Sequence, residues 1–157
     1  MQDKQAVIEA LERSPRIIIP LVKEVPEAVL RRRPAPKKWS AHEHACHLSR
    51  VHPLFFDRLD LMLRDPKPRI TPYNPAADEP EDALLKMDLG ACLDRFARDR
   101  ETLVGRLKGL KPADWERAAE HPEYKRYTMF IMFRHLALHD MLHAYRIEEL
   151  LLKPEWD

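Results

Sequence analysis

The chain has 157 residues, with 27 Lys and Arg against 26 Asp and Glu and a formal net charge of +1. A chain of this length removes roughly 70% of its unfolded surface from water on folding, so no disulfide or metal is required merely to hold it together, and the balanced charge excludes the basic field of a nucleic-acid binder. Only 3 glycines stand against 14 prolines, and the absence of Asn-Gly or Asp-Gly hairpin signals and of clean apolar and polar alternation argues against strands.

The opening MQDKQAVIEALERSPR mixes charges from its third residue and lacks the basic-then-apolar order of an export signal. No apolar run reaches the ~20 residues of a membrane span, which predicts a cytoplasmic protein with no membrane partner. A first helical stretch is expected from about Lys4 to Leu30, bent or divided at Pro15, Pro20 and Pro26. In the loop RRRPAPKKW that follows, Arg31, Arg32, Arg33, Lys37 and Lys38 lack interleaved aromatics and read as a solvated surface.

Ser40, with Glu43 three residues on, has capping-box spacing and opens a second helix running to about Arg64. Its Leu48, Val51, Phe55, Leu59 and Met62 recur at three- and four-residue steps to form a buried face, with a kink at Pro53. Asp65 to Pro80 holds prolines at 66, 68, 72, 75 and 80 and is the long connection expected to lie over a site. A third helix is expected from about Glu81 to Leu110, turning Leu85, Leu89, Leu93, Phe96, Leu103 and Leu107 to the core and ending near Gly109. After a helical turn and loop over KPADWERAAEHPEY, a fourth helix runs from about Thr128 to Leu152, apolar around much of its circumference as an element packed against several neighbours should be. The sum is an all-α four-helix bundle, one domain over 1–157. Cys46 and Cys92 fall on separate helices without a pairing pattern and are expected as reduced thiols.

Eight histidines are present, and all but His121 fall in the second and fourth helices. RHLALHDMLHAYRIEEL places His135, His139 and His143 at successive four-residue steps. Residues i and i+4 share a face about 6 Å apart along the axis and can clamp one ion, whereas His135 and His143, about 12 Å apart, cannot share one. The row Met132, Leu136, His139, His143, Ile147 and Leu150 is apolar at both ends and should face the interior. The row through His135 runs on to Leu138, Leu142, Arg146 and Glu149 and should face solvent, so His139 and His143 are the expected pair. His47 is the expected third ligand, because Val51 and Leu54 carry its side of the second helix into the core, while His42 and His44 in the first turn read as exposed. Three protein ligands leave a coordination position open to water or substrate, as in a catalytic site.

KWSAHEHACHL, followed far downstream by HDMLHAYRIEELL, resembles the DinB/YfiT-like family of four-helix-bundle metalloenzymes. The likeness continues through LDRFARDRETLVGRLKGLKPADWERAAEHPEY and spans nearly the whole chain. It implies a metal held by a histidine near the start of the second helix and by an HxxxH pair in the last, positions that fall here on His47, His139 and His143. Where relatives often carry a glutamine after the pair, this chain has Arg146, so the rim of the pocket departs from theirs. The resemblance also implies chemistry of small-molecule metabolism or detoxification, since some relatives look like thiol-dependent transferases or isomerases that activate a low-molecular-weight thiol on the metal.

HEHAC at 42–46 misses the HExxH of zinc proteases because Cys46 stands at the second histidine. Glu43 can be a base or partner of His47 four residues on, or only the cap. Asp140 makes a single DxxH with His143, short of the carboxylate set of a di-iron bundle, and is a candidate for a place behind a ligand. Cys46 is turned about 100° from His47 and reads as packing, while Trp39 and Tyr145 read as core packing, with lining of the pocket as the alternative. Two functions fit these features. One is a divalent-metal-dependent enzyme with a small-molecule substrate, one zinc, nickel or iron ion, which imidazoles alone do not distinguish, and a thiol cofactor. The other is a non-catalytic metal-binding bundle of stress response, associating as a homodimer through exposed apolar helix faces.

Overall fold

The computed structural model describes residues 3–74, 80 and 82–153. Helix α1, Lys4–Glu24, begins where the Asp3 carboxylate accepts the Ala6 amide at 2.8 Å. Pro15 and Pro20 lie inside α1 without ending it. Pro15 has no amide to offer the carbonyl of Leu11, and that oxygen accepts instead from Arg100 at 3.2 Å. The expected division occurs only at Pro26, which caps the single turn α2, Glu27–Leu30.

The next helix starts on the anticipated capping box. The Ser40 hydroxyl accepts the Glu43 amide at 3.3 Å and the Glu43 carboxylate accepts the Ser40 amide at 2.9 Å. Pro53 divides this stretch into α3, Ala41–Arg50, and α4, His52–Arg64, with the proline in the first turn of α4 where its missing amide costs least. Leu48, Val51, Phe55, Leu59 and Met62 are all buried.

A 3₁₀ turn, Leu84–Lys86, precedes α5, Leu89–Lys108, which Asp88 caps through the Ala91 amide at 2.7 Å. It is Leu84 and not the expected Leu85 that is buried, because the turn has a different register from the helix. The expected start at Glu81, and Pro75 in the long connection, lie outside the described residues. A second 3₁₀ turn, Asp114–Glu116, leads to α6, Met129–Leu151, capped by Thr128. Among the described residues the β pairings are isolated bridges, Arg69 with Glu120 and Ala118 with Thr128. No helix among them is long and apolar enough to cross a membrane.

Helices α1 and α3 each pack mainly on α5 and α6. Lys4 reaches the Pro112 carbonyl and Lys108 pairs with Glu12, so α1 and α5 are antiparallel. Val7 and Leu11 share a core with Phe130 and Leu136, whereas Ile18 and Val22 share one with Ile147 and Leu150, so α1 and α6 are parallel. Cys46 packs on Cys92 and His52 meets Arg100, which makes α3 and α4 parallel to α5. The 65–88 connection therefore travels from one end of the bundle to the other, leaving beside Glu120, where the Ile70 amide is bound, and returning with Leu84 against Cys46.

Arg100 is buried on α5 and joins all four long elements. It forms a buried ion pair with Asp140 of α6, donates to the Ser14 hydroxyl of α1 at 2.5 Å, and donates to His52 Nε2 of α4 at 3.1 Å. The Ser14 hydroxyl donates in turn to Asp140 at 2.7 Å. Burial, with the Arg100 guanidinium second, holds His52 down to about 3, so its ring stays neutral and able to accept. The outer side of α6 is less covered than its composition led us to expect. Leu138, Met141, Leu142 and Tyr145 are exposed, because α6 has helices on one side only.

Replacing Asp140 with alanine strands the Arg100 guanidinium in the interior, and is expected to lower the free energy of urea unfolding by about 3–5 kcal/mol. Ser14→Ala should cost only about 1 kcal/mol. Equal, small effects of the two would show that the ion pair does not tie the bundle together.

Candidate metal centre

The side chains of His47 on α3 and of His139 and His143 on α6 meet where these antiparallel helices face one another. Their candidate ligand atoms all lie within 4.8 Å of one another. His139 Nε2 is 3.0 Å from His47 Nε2 and 3.0 Å from His143 Nε2. A neutral imidazole carries one N–H, directed in the plane of its ring. No placement of protons gives both of these contacts a linear hydrogen bond, because His139 Nε2 can present either one proton or one lone pair. The Nδ1 atoms of His47 and His139 are buried without partners. Three lone pairs aimed at a common point are the donor set of a cation, and this chemistry fits a divalent ion.

Burial first, then the neighbouring His139, holds the His47 ring down to about 3. Burial also holds His139 down to about 4 and pushes His143 well below the ordinary imidazole range. All three rings are therefore neutral at physiological pH, the form that offers a lone pair.

His44 and His42 are not exposed as their first-turn position implied. His44 Nδ1 lies 2.8 Å from His143 Nδ1, on the far side of the ring from the cluster. The i, i+3 spacing of His44 and His47 was the signal for this, since both lie on one face of α3. His42 is buried with its Nε2 3.1 Å from the Leu84 carbonyl, because the returning connection folds over the first turn of α3. Trp39 packs against the Cys46, Leu84 and Cys92 core and also lines the cavity. It is half-buried, with its ring 4.8 Å from that of His47 and stacked at 5.9 Å on His143. Tyr145 is exposed and packs in no core.

The three residues considered as partners of the cluster are directed elsewhere. The Glu43 carboxylate accepts from the Ser40 amide and, at 2.9 Å, from Arg33 Nε, which takes Arg33 out of the solvated run. Asp140 is turned about 100° around α6 from His139, into the Arg100 network. Arg146 pairs with Glu149 at 2.6 Å on the surface. Cys46 packs with Cys92 and Leu84 as an unpaired thiol, as expected.

A cavity of about 350 Å³ opens beside the cluster. Trp39, His47, His139 and His143 line one part of it, and Phe55, Arg58, His121, Tyr124, Tyr127 and His135 line another. Pro72 and Tyr73 of the long connection also contribute, so this part of the proline-rich segment lines the cavity. His135 is exposed but reaches this lining, outside the three-ring cluster.

A model of the DinB superfamily matches residues 10–147. No curated protein sequence matches the chain. Among solved structures, YfiT from Bacillus subtilis, described as a probable metal-dependent hydrolase with an unusual four-helix bundle topology, superposes with a TM-score of 0.86. The two are 22% identical, over 100% of this chain and 90% of that one, which is a likeness of fold.

Histidine rings held this low make acid stability a direct readout. An unfolded histidine takes its proton near pH 6.5, but His47 and His139 do so only at about 3 and about 4. The unfolded state thus holds more protons between these limits. Stability of the metal-free protein should fall on acidification below about 6.5, by about 1.4 kcal/mol per pH unit per ring. NMR of the ring nitrogens should show both residues neutral at about pH 5, and a midpoint near 6.5 for either would contradict the burial described.

Proposed function

The chain belongs to the DinB superfamily, and from that premise we propose that it is a divalent-metal-dependent enzyme that hydrolyses a small molecule beside His47, His139 and His143. The convergence of three Nε2 atoms, with 3.0 Å between His139 and each of its neighbours, is the observation that carries the reading. The printed description of YfiT as a probable metal-dependent hydrolase supports the class of reaction.

In this reading the three imidazoles hold the ion, and His44 orients His143 through their facing Nδ1 atoms. A divalent ion in such a site lowers the pKa of water and polarises a carbonyl. Trp39 packs on the rings and, with them, lines the end of the cavity that would bring substrate to them. Zinc, nickel and iron all suit the donor set. A low-molecular-weight thiol, the finer reading drawn from the family likeness, would take the same open position and lose its proton there. Turnover of esters or amides without added thiol separates hydrolysis from thiol transfer.

Untagged protein is expected to carry about one zinc, nickel or iron ion per chain, and His139→Ala to carry almost none. His44→Phe should keep the ion but bind it about 10–100-fold more weakly. Less than about a tenth of an ion per chain, unchanged by added zinc or nickel, would refute the proposal.

A further inference from the structure

The cavity beside the histidines is elongated, and its far end carries a charge that the hydrolase reading does not use. On α3 and α4 the lining falls at His47, Val51, Phe55 and Arg58, and on α6 at His143, His139 and His135. His47 and Arg58 are ~16 Å apart along the helix direction. The Arg58 guanidinium leans back over the Phe55 ring, 5.8 Å from its centre, and so toward the histidines.

Arg58 is half-buried, and its Nε is buried without a partner. Its NH2 donates to the Thr71 carbonyl at 2.7 Å and the guanidinium also hydrogen-bonds the Tyr127 hydroxyl, both of them neutral partners that leave it without a paired carboxylate. Among the described residues no carboxylate forms an ion pair with it. A half-buried guanidinium without a paired carboxylate gains from an anion that takes its remaining donors. Aromatic rings wall this end, with those of Tyr124 and Tyr127 stacked at 6.0 Å. Glu123 stands exposed in the lining, and its charge opposes a doubly charged group such as phosphate about twice as strongly as a monoanion.

We propose that Arg58 binds the carboxylate of the substrate, which is a small monoanionic acid with an apolar or aromatic body lying along the cavity and its reacting group at the histidine end. The position of the reacting group rests on the hydrolase reading above, whereas acid binding at Arg58 does not.

The probe is 4-phenylbutanoate, a carboxylate on a flexible arm ending in a flat ring, against its uncharged analogue 4-phenylbutanamide. Both are titrated calorimetrically into the full chain, stripped of metal with chelator and again loaded with zinc. The acid is expected to bind at least about tenfold more tightly than the amide in both states. Arg58→Gln, which keeps an amide donor for Thr71, should abolish that preference while leaving amide binding and the melting temperature unchanged. Arg58→Lys, which keeps the charge without the fork, should retain part of the preference. Equal binding of acid and amide, no binding of either, or a preference that survives Arg58→Gln would overturn the proposal. A preference seen only with zinc and indifferent to Arg58→Gln assigns the carboxylate to the ion and overturns it while supporting the metal reading. An Arg58-dependent preference in protein that takes up no zinc upholds the acid site and refutes the metal reading.

Discussion

Arg100 sets the geometry on which the site depends. A guanidinium that is 1% exposed must have its donors satisfied, and the partners come from three other elements, Ser14 of α1, His52 of α4 and Asp140 of α6. Once Asp140 is turned to Arg100, the rotation of α6 is fixed. His139 and His143 lie about 100° and about 60° around the helix from Asp140, both on the same side, and that side is the one α3 occupies. The same guanidinium binds His52, five residues beyond His47 across the break at Pro53. One buried charge thus orients both helices that carry the imidazoles. It also accounts for an unbroken α1, since Arg100 accepts the task of satisfying the Leu11 carbonyl that Pro15 leaves bare.

The two ends of the cavity pose opposite electrostatic problems. At one end, desolvation removes the proton from each of three rings, leaving convergent lone pairs that repel one another unless a cation lies among them. At the other, the Arg58 guanidinium lies beside tyrosines and a backbone carbonyl with no carboxylate among the described residues paired to it. A ligand reaching both would present an electron-rich group to the histidines and an anion to Arg58. The walls between, Val51 and Phe55, add apolar contact without polar selection.

Helix periodicity made the buried faces legible. Leu48 to Met62 on the second stretch, and Met132, Leu136, Ile147 and Leu150 on the last, are all buried where spacing placed them. The choice of His139 with His143 over His135 followed from the same rule, as those rings do meet while His135 stays outside. What periodicity could not supply was the environment built by distant chain. His42 looked exposed because nothing local marks Leu84 as its cover, and His44 because its partner lies 99 positions away. Arg100 sits amid charged neighbours on α5, and no local pattern separates a buried arginine from the exposed ones around it. Asp140 and Glu43 lie beside or one turn from ligand candidates, yet neither reaches them, because buried or half-buried arginines claim both carboxylates.

Soaking crystals of the untagged protein with zinc and collecting data at the metal absorption edge tests the convergence of the three imidazoles most directly. One strong anomalous peak is expected per chain, about 2.0–2.1 Å from Nε2 of each of His47, His139 and His143. A peak held by other residues, or rings turned away from one another in the presence of saturating zinc, would contradict it.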